Sequence, residues 1–288
     1  MTFSVDSNFV NQFSANIHLL VDQRGSKLKG LFSEEAVTGE KAFFDRIGLF
    51  SANEIVSNLA PVNLQDAAHS RRMATLKIYE AATYVQGMDK LKMLIDPASS
   101  YARALANSHG KNFDRAIIDA LLGTAATGKS GSGSATFAAG NIIAHGSVGL
   151  TADKLLQGLR ILQSNEVDMD VTNCYLLVNA RGMEDLLADS KFNNSDWQNV
   201  KALSGKELPS FRGLKIVQTE RLPDSTAGSV YRGIICTEDS LKVAIGQDMK
   251  VDMSVRNDLQ NLPMQIYTEM AFGAVRMQEE LVVDILFQ

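Results

Sequence analysis

The residues with the clearest chemical potential are Gly123-Thr124-Ala125-Ala126-Thr127-Gly128-Lys129-Ser130, which satisfy the phosphate-loop pattern G-x-x-x-x-G-K-[ST]. In a working phosphate loop, backbone amides and the amino end of a following helix converge on the anion, so the motif must hang between a buried strand and a helix. Here both flanks are wrong. Asp114 to Leu122 has helical spacing, and Gly131-Ser132-Gly133-Ser134 is a poor way to begin a helix. The match reads as coincidence in a Gly- and Ser-rich connection. A nucleotide-binding enzyme built on Gly123 to Ser130 stands only as the rival reading of another class.

The remaining candidates form no constellation. His18, His69, His109 and His145 are far apart, with no second His or Cys at ligand spacing, which gives no zinc pattern. Glu166, Asp168 and Asp170 alternate as in a calcium loop, but the turn glycine and the later bidentate Glu are missing, and a solvated face is expected. Neither G-x-S-x-G, G-x-G-x-x-G nor H-E-x-x-H occurs. Glu34-Glu35 and Glu279-Glu280 read as surface carboxylates. Cys174 and Cys236 read as reduced thiols filling a core, and Met264, Met270 and Met277 as adaptable filler. The expectation is no catalytic residue, no cofactor and no metal.

A chain of 288 residues, 45% hydrophobic and 21% charged, can bury a sizeable core without staples. Its 28 Lys and Arg against 33 Asp and Glu give a net charge of −5, which speaks against a dedicated nucleic-acid binder. Met1 to Val10 lacks the positive-then-apolar order of a signal peptide, and no apolar run approaches the ~20 residues of a membrane span. The expected location is the cytosol.

Phe9, Phe13, Ile17 and Leu20 keep helical spacing before Gly25, Gly30 and Gly39 interrupt it, which predicts one amphipathic helix and an extended arm with little core of its own. Phe43, Phe44, Ile47 and Phe50 on one side, and the alternation Ala74, Leu76, Ile78 against Thr75, Lys77, Tyr79 on the other, predict a long two-stranded ribbon with an irregular tip from 51 to 70. A lone ribbon is marginal in water, so this one predicts a partner. Asp96-Pro97 is a strong helix start, and Tyr101, Leu105, Phe113, Ile117 and Leu121 mark one face of a helix down to Gly123, with Gly110 a soft spot inside it. Thr124 to Gly149 has the composition of a flexible surface connection. A second helix is expected after Thr151, then a buried strand at Cys174 to Val178, a short helix at Arg181 to Leu187 and a long loop from Asp189 to Pro209. Short strands follow at Leu214 to Val217, Tyr231 to Cys236, Leu241 to Ile245, Pro263 to Phe272 and Glu280 to Phe287. The class is α+β.

In this order and spacing, Ile95-Asp96-Pro97, the run Asp114 to Gly123, Cys174 to Leu187, Asp189-Ser190-Lys191-Phe192, Phe211 to Ile216 and Leu222-Pro223 resemble the major capsid proteins of tailed bacteriophages, of the Hong Kong 97-type fold. The resemblance implies an N-terminal arm (1–39), an extended loop (40–87), a peripheral domain with a spine helix (88–167), an axial domain (168–252) and return strands of the peripheral domain (253–288). It implies a structural protein that is not an enzyme, forming pentamers and hexamers of an icosahedral shell in the virion. The shell would assemble in the host cytoplasm and enclose DNA without reading its sequence. Scaffolding, portal and decoration proteins are implied partners; no membrane is. An encapsulin-like compartment of the same fold is the nearest alternative. Phe9, Phe13, Ile17, Phe43, Phe44, Leu76, Ile78 and Tyr79 are the expected inter-subunit contacts. Some members of this fold join subunits through a Lys and an Asn; nothing singles out Lys77 and Asn58 here, so noncovalent assembly is expected.

Overall fold

The computed structural model describes residues 25–48, 50–52, 54, 64, 66–85, 98–168, 171–189, 211–224 and 230–288. Phe9, Phe13, Ile17, Asn58, the helix start at Asp96-Pro97 and most of the loop expected up to Pro209 lie outside them. In chain order the elements are β1 (Ser33–Ala36), β2 (Lys41–Ile47), β3 (His69–Thr75), β4 (Lys77–Val85), α1 (Ala98–Leu122), β5 (Ala125–Thr127), β6 (Gly133–Ala135) and β7 (Ile142–Ile143). There follow α2 (Ala152–Ser164), β8 (Cys174–Val178), α3 (Ala180–Ala188), β9 (Leu214–Gln218), β10 (Tyr231–Thr237), β11 (Leu241–Val255), β12 (Met264–Arg276) and β13 (Val282–Phe287). The result is a mixed α+β fold of three helices and three sheets among the described residues.

A five-stranded sheet, ordered β7-β13-β10-β8-β9, separates two cores. Side chains alternate across a strand, so Cys174, Leu176 and Val178 of β8 face one cluster with Leu155, Leu159 and Leu162 of α2 and Met183 and Leu186 of α3. Tyr175 and Leu177 face the other, with Phe113, Ile117, Ile118 and Leu121 of α1 and with Val243, Met270 and Phe272 of a second sheet, ordered β1-β11-β12-β4. A third sheet, β2-β3-β5-β6, is antiparallel throughout.

Helix ends are satisfied by unlike means. Asn179 caps α3, its side-chain oxygen accepting from the Gly182 amide at 2.8 Å. Thr151 ahead of α2 makes no such bond; instead the Ala152 amide donates to Asp189 beyond the end of α3, at 2.8 Å. Helix α1 carries no basic residue in its last turn, and Arg276 of β12 donates to the Leu121 and Gly123 carbonyls there, each at 2.7 Å. That places a cation at the negative end of the helix dipole from 153 residues away.

Several expectations are corrected. The strand anticipated across Met73 to Val85 breaks at Leu76: β3 pairs with β2 and β5, whereas β4 pairs with β12. The ribbon base is thus not two-stranded, since β5 and β6 widen it into a sheet. Those two short strands, with β7, also replace the flexible connection expected over 124–149. Strand β11 runs to Val255, ten residues beyond the expected Ile245, because it follows its antiparallel partner β12 outward past the core. Strand β12 lies in the sheet with β11 and β4, and β13 lies between β10 and β7.

Candidate functional site

Alternation along β2 and β3 divides the ribbon base into two faces. Ala42 and Phe44 turn inward onto Ala74, Ala244, Val275 and Met277, leaving Phe44 only 7% exposed. Phe43 points the other way and is 41% exposed, with the Arg71 guanidinium 5.5 Å from its ring centre. Arg71 also grips Asp45 with two bonds, of 2.5 and 3.0 Å, and that pairing holds the Asp45 carboxyl below the usual carboxylate range. On β4, Ile78 is 77% exposed. Tyr79 stacks on Phe272 of its own chain at 4.6 Å, and Leu76 packs against the Phe44 cluster.

Of the expected contact residues that are described, Phe43 and Ile78 therefore face outward, whereas Phe44, Leu76 and Tyr79 are occupied within the chain. Ile47, 63% exposed, extends the outward row of the ribbon. A second exposed row was missed at the sequence level: Met249, Val251, Met253 and Val255 on the outer half of β11. Its signal was present as strict alternation with Lys250, Asp252 and Ser254.

The buried edge of the ribbon carries charge. Arg72 donates to both oxygens of Glu279, at 2.7 and 2.8 Å, with side-chain exposures of 4% and 14%. Arg276, fully buried, lies 3.8 Å from the same carboxylate, and Arg46 lies at 4.0 Å. Burial lowers the Arg276 pKa from its ordinary value. Glu279 thus anchors three arginines, which overturns its reading as a surface carboxylate; its neighbour Glu280 is exposed.

The phosphate-loop look-alike lies against this cluster as a hairpin turn. Its Ala125-Ala126-Thr127 are strand β5, β6 follows after Ser132, and Gly128 and Gly131 take φ of +89° and +75° to close the turn between the two strands. Neither flank brings a helix amino end to Lys129, because the segment after it is a strand and the helix before it presents its carboxyl end. That geometry removes the feature on which nucleotide binding would depend.

A second clamp fixes Ser26, Lys27 and Leu28. Asp114 of α1, fully buried, accepts from Ser26 Oγ, from the Lys27 amide at 3.0 Å, from the Leu28 amide at 3.2 Å and from Arg221. Gly110, a soft spot by sequence, is a fitted one: a Cβ there would collide with the backbone of Gly25 and Ser26. Among the described residues no group of three His, Cys, Asp or Glu could hold a metal, and no helix is long and apolar enough to cross a membrane. Cys174 and Cys236 are free and buried, and burial pushes both thiols up.

Comparison with known proteins decides the family, since a family described as "Phage capsid protein" matches residues 5–288. The chain belongs to the phage capsid protein family. By sequence, no curated protein is matched. The fold is similar to solved shells. The capsid of cyanophage P-SCSP1u superposes with a TM-score of 0.75 at 15% identity, covering 100% of this chain and 95% of that one. The capsid of cyanophage Pam1 gives 0.74 at 15% identity, covering 99% and 98%. The capsid of Ralstonia phage GP4 gives 0.72 at 12% identity, covering 100% and 97%. This phage capsid protein is therefore a structural protein by family, and Phe43, Ile47 and Ile78 are exposed on its surface.

Proposed function

We propose that the chain is the major shell subunit of a tailed phage, assembling without covalent cross-links into pentamers and hexamers of an icosahedral capsid around the DNA. The observation that carries this reading is the family match over residues 5–288, nearly the whole chain. The same reading carries a Hong Kong 97-type partition: an arm at 1–39, an extended loop at 40–87, a peripheral domain at 88–167 with α1 as its spine, an axial domain over 168–252 and return strands at 253–288. Phe43, Ile47 and Ile78 are the described apolar residues that a neighbouring copy would cover, joined by Phe9, Phe13 and Ile17 of the arm. Each contact is modest alone, but repetition around closed rings makes the assembly stable while subunits stay soluble. The expected site is the virion, with assembly in the host cytoplasm and with scaffolding, portal and decoration proteins as further partners.

Sedimentation and negative-stain microscopy of the expressed protein test the reading. Rings and closed shells are expected. A population that stays monomeric at every concentration tested would overturn it.

A further inference from the structure

A cavity of about 850 Å³ opens where the ribbon base meets the β5–β6 turn. Its walls include Arg46, Arg71, Arg72 and Lys129, against the single carboxylate of Asp45, with Ile47 exposed beside them. Asp45 is committed to Arg71, and Glu279 behind the wall is shared among Arg46, Arg72 and Arg276. Arg72, with a side chain only 4% exposed, keeps one guanidinium nitrogen, Nη1, without a hydrogen-bond partner among the described residues. Lys129 is exposed and has no ion-pair partner among them. Arg72 Nη2 already reaches both oxygens of Glu279, and a carboxylate is the group that the guanidinium and ammonium cations lining this cavity bind most strongly.

We propose that this cavity receives an Asp or Glu side chain from a second copy of the chain, which makes it a charged socket within the shell contact. The proposal rests on the shell reading above. Three observations favour a second copy over nucleic acid. The chain carries 33 acidic residues against 28 basic ones, so a sister copy offers acid in excess. The carboxylates of Asp45 and Glu279 already offset part of the cationic charge, and what is left suits a single side-chain carboxylate better than a polyanionic backbone. Ile47 beside the cavity and Phe43 on the same strand supply the apolar surface expected next to a protein partner, and both are exposed.

The test is zero-length carbodiimide coupling of assembled particles made from equal parts of normal and heavy-nitrogen protein. A carboxylate in contact with Lys129 becomes an amide of its Nζ, and mixed-isotope peptides show whether the two residues belong to different copies. The expected result is a Lys129-to-acid peptide between copies in particles and its loss in dissociated subunits. Lys129→Glu should weaken particle formation about tenfold or more, while Lys129→Arg retains it, with unchanged unfolding midpoints for both subunits. Particles in which Lys129 couples only within its own copy, or not at all, overturn the socket and leave the shell reading intact. So do particles in which DNA alone shields Lys129 from coupling. Absence of particles from the unaltered chain overturns the shell reading, and the socket with it.

Discussion

At the scale of single residues, buried charge sets the sharpest expectations. Removing the Glu279 charge strands three arginines, one of them fully buried, so Glu279→Gln should cost about 3 kcal/mol of stability in a denaturant titration, whereas Glu280→Gln next to it should change stability by less than about 0.5 kcal/mol. Asp284 of β13, 3% exposed, has its pKa raised by burial to about 6, an effect that Arg232 at 3.5 Å only partly offsets. A carboxyl raised in the folded state favours folding while protonated; its contribution is whole below pH ~3.8 and is lost as pH rises through about 6. The loss is on the order of 3 kcal/mol, and Asp284→Asn should flatten stability across that window, as read from unfolding curves at pH 4 and 7.5. Little of this was legible in the sequence. Arg72 and Glu279 are 207 positions apart, and no local spacing reports a pair that only the fold brings together. Nor were the opposite directions of Phe43 and Phe44, two adjacent and equally apolar residues, legible there, or the break at Leu76 that sets Leu76 apart from Ile78 and turns Tyr79 onto Phe272.

At the scale of elements, the long helix and most strands could be read directly, because their apolar spacing is dictated by the faces they bury. Helix α1 ends where Gly123 predicted, and β8, β9, β10 and β13 fall within two residues of their expected bounds. Elements that escaped the reading are those whose pairing, not composition, makes them strands: β5 and β6 in a stretch of Gly, Ser, Ala and Thr, and the exposed outer half of β11. Gly110 separates local propensity from tertiary fit. Propensity alone predicts that Gly110→Ala inside α1 would gain roughly 1 kcal/mol. Collision with the backbone at Gly25 and Ser26 predicts instead a loss of about 1–3 kcal/mol, with faster amide hydrogen exchange at Leu28 as the Asp114 clamp loosens.

At the scale of the whole molecule, the side chains that hold one subunit together differ from those proposed to join it to the next. Phe44→Ala removes a buried ring from the ribbon base and should cost about 3–5 kcal/mol of subunit stability. Phe43→Asp and Ile78→Asp touch exposed positions, so the subunit should unfold within about 0.5 kcal/mol of the parent while particle yield in a sucrose gradient falls several-fold. The −5 net charge agrees with the proposed shell role, since a wall around packed DNA would have no need to grip it. The most direct measurement is a cryo-electron microscopy reconstruction of particles assembled from this chain. Five- and six-membered rings are expected, with Phe43 and Ile78 of each subunit covered by another copy. Closed particles that leave both side chains in solvent, or a preparation holding lone subunits alone, would contradict that expectation.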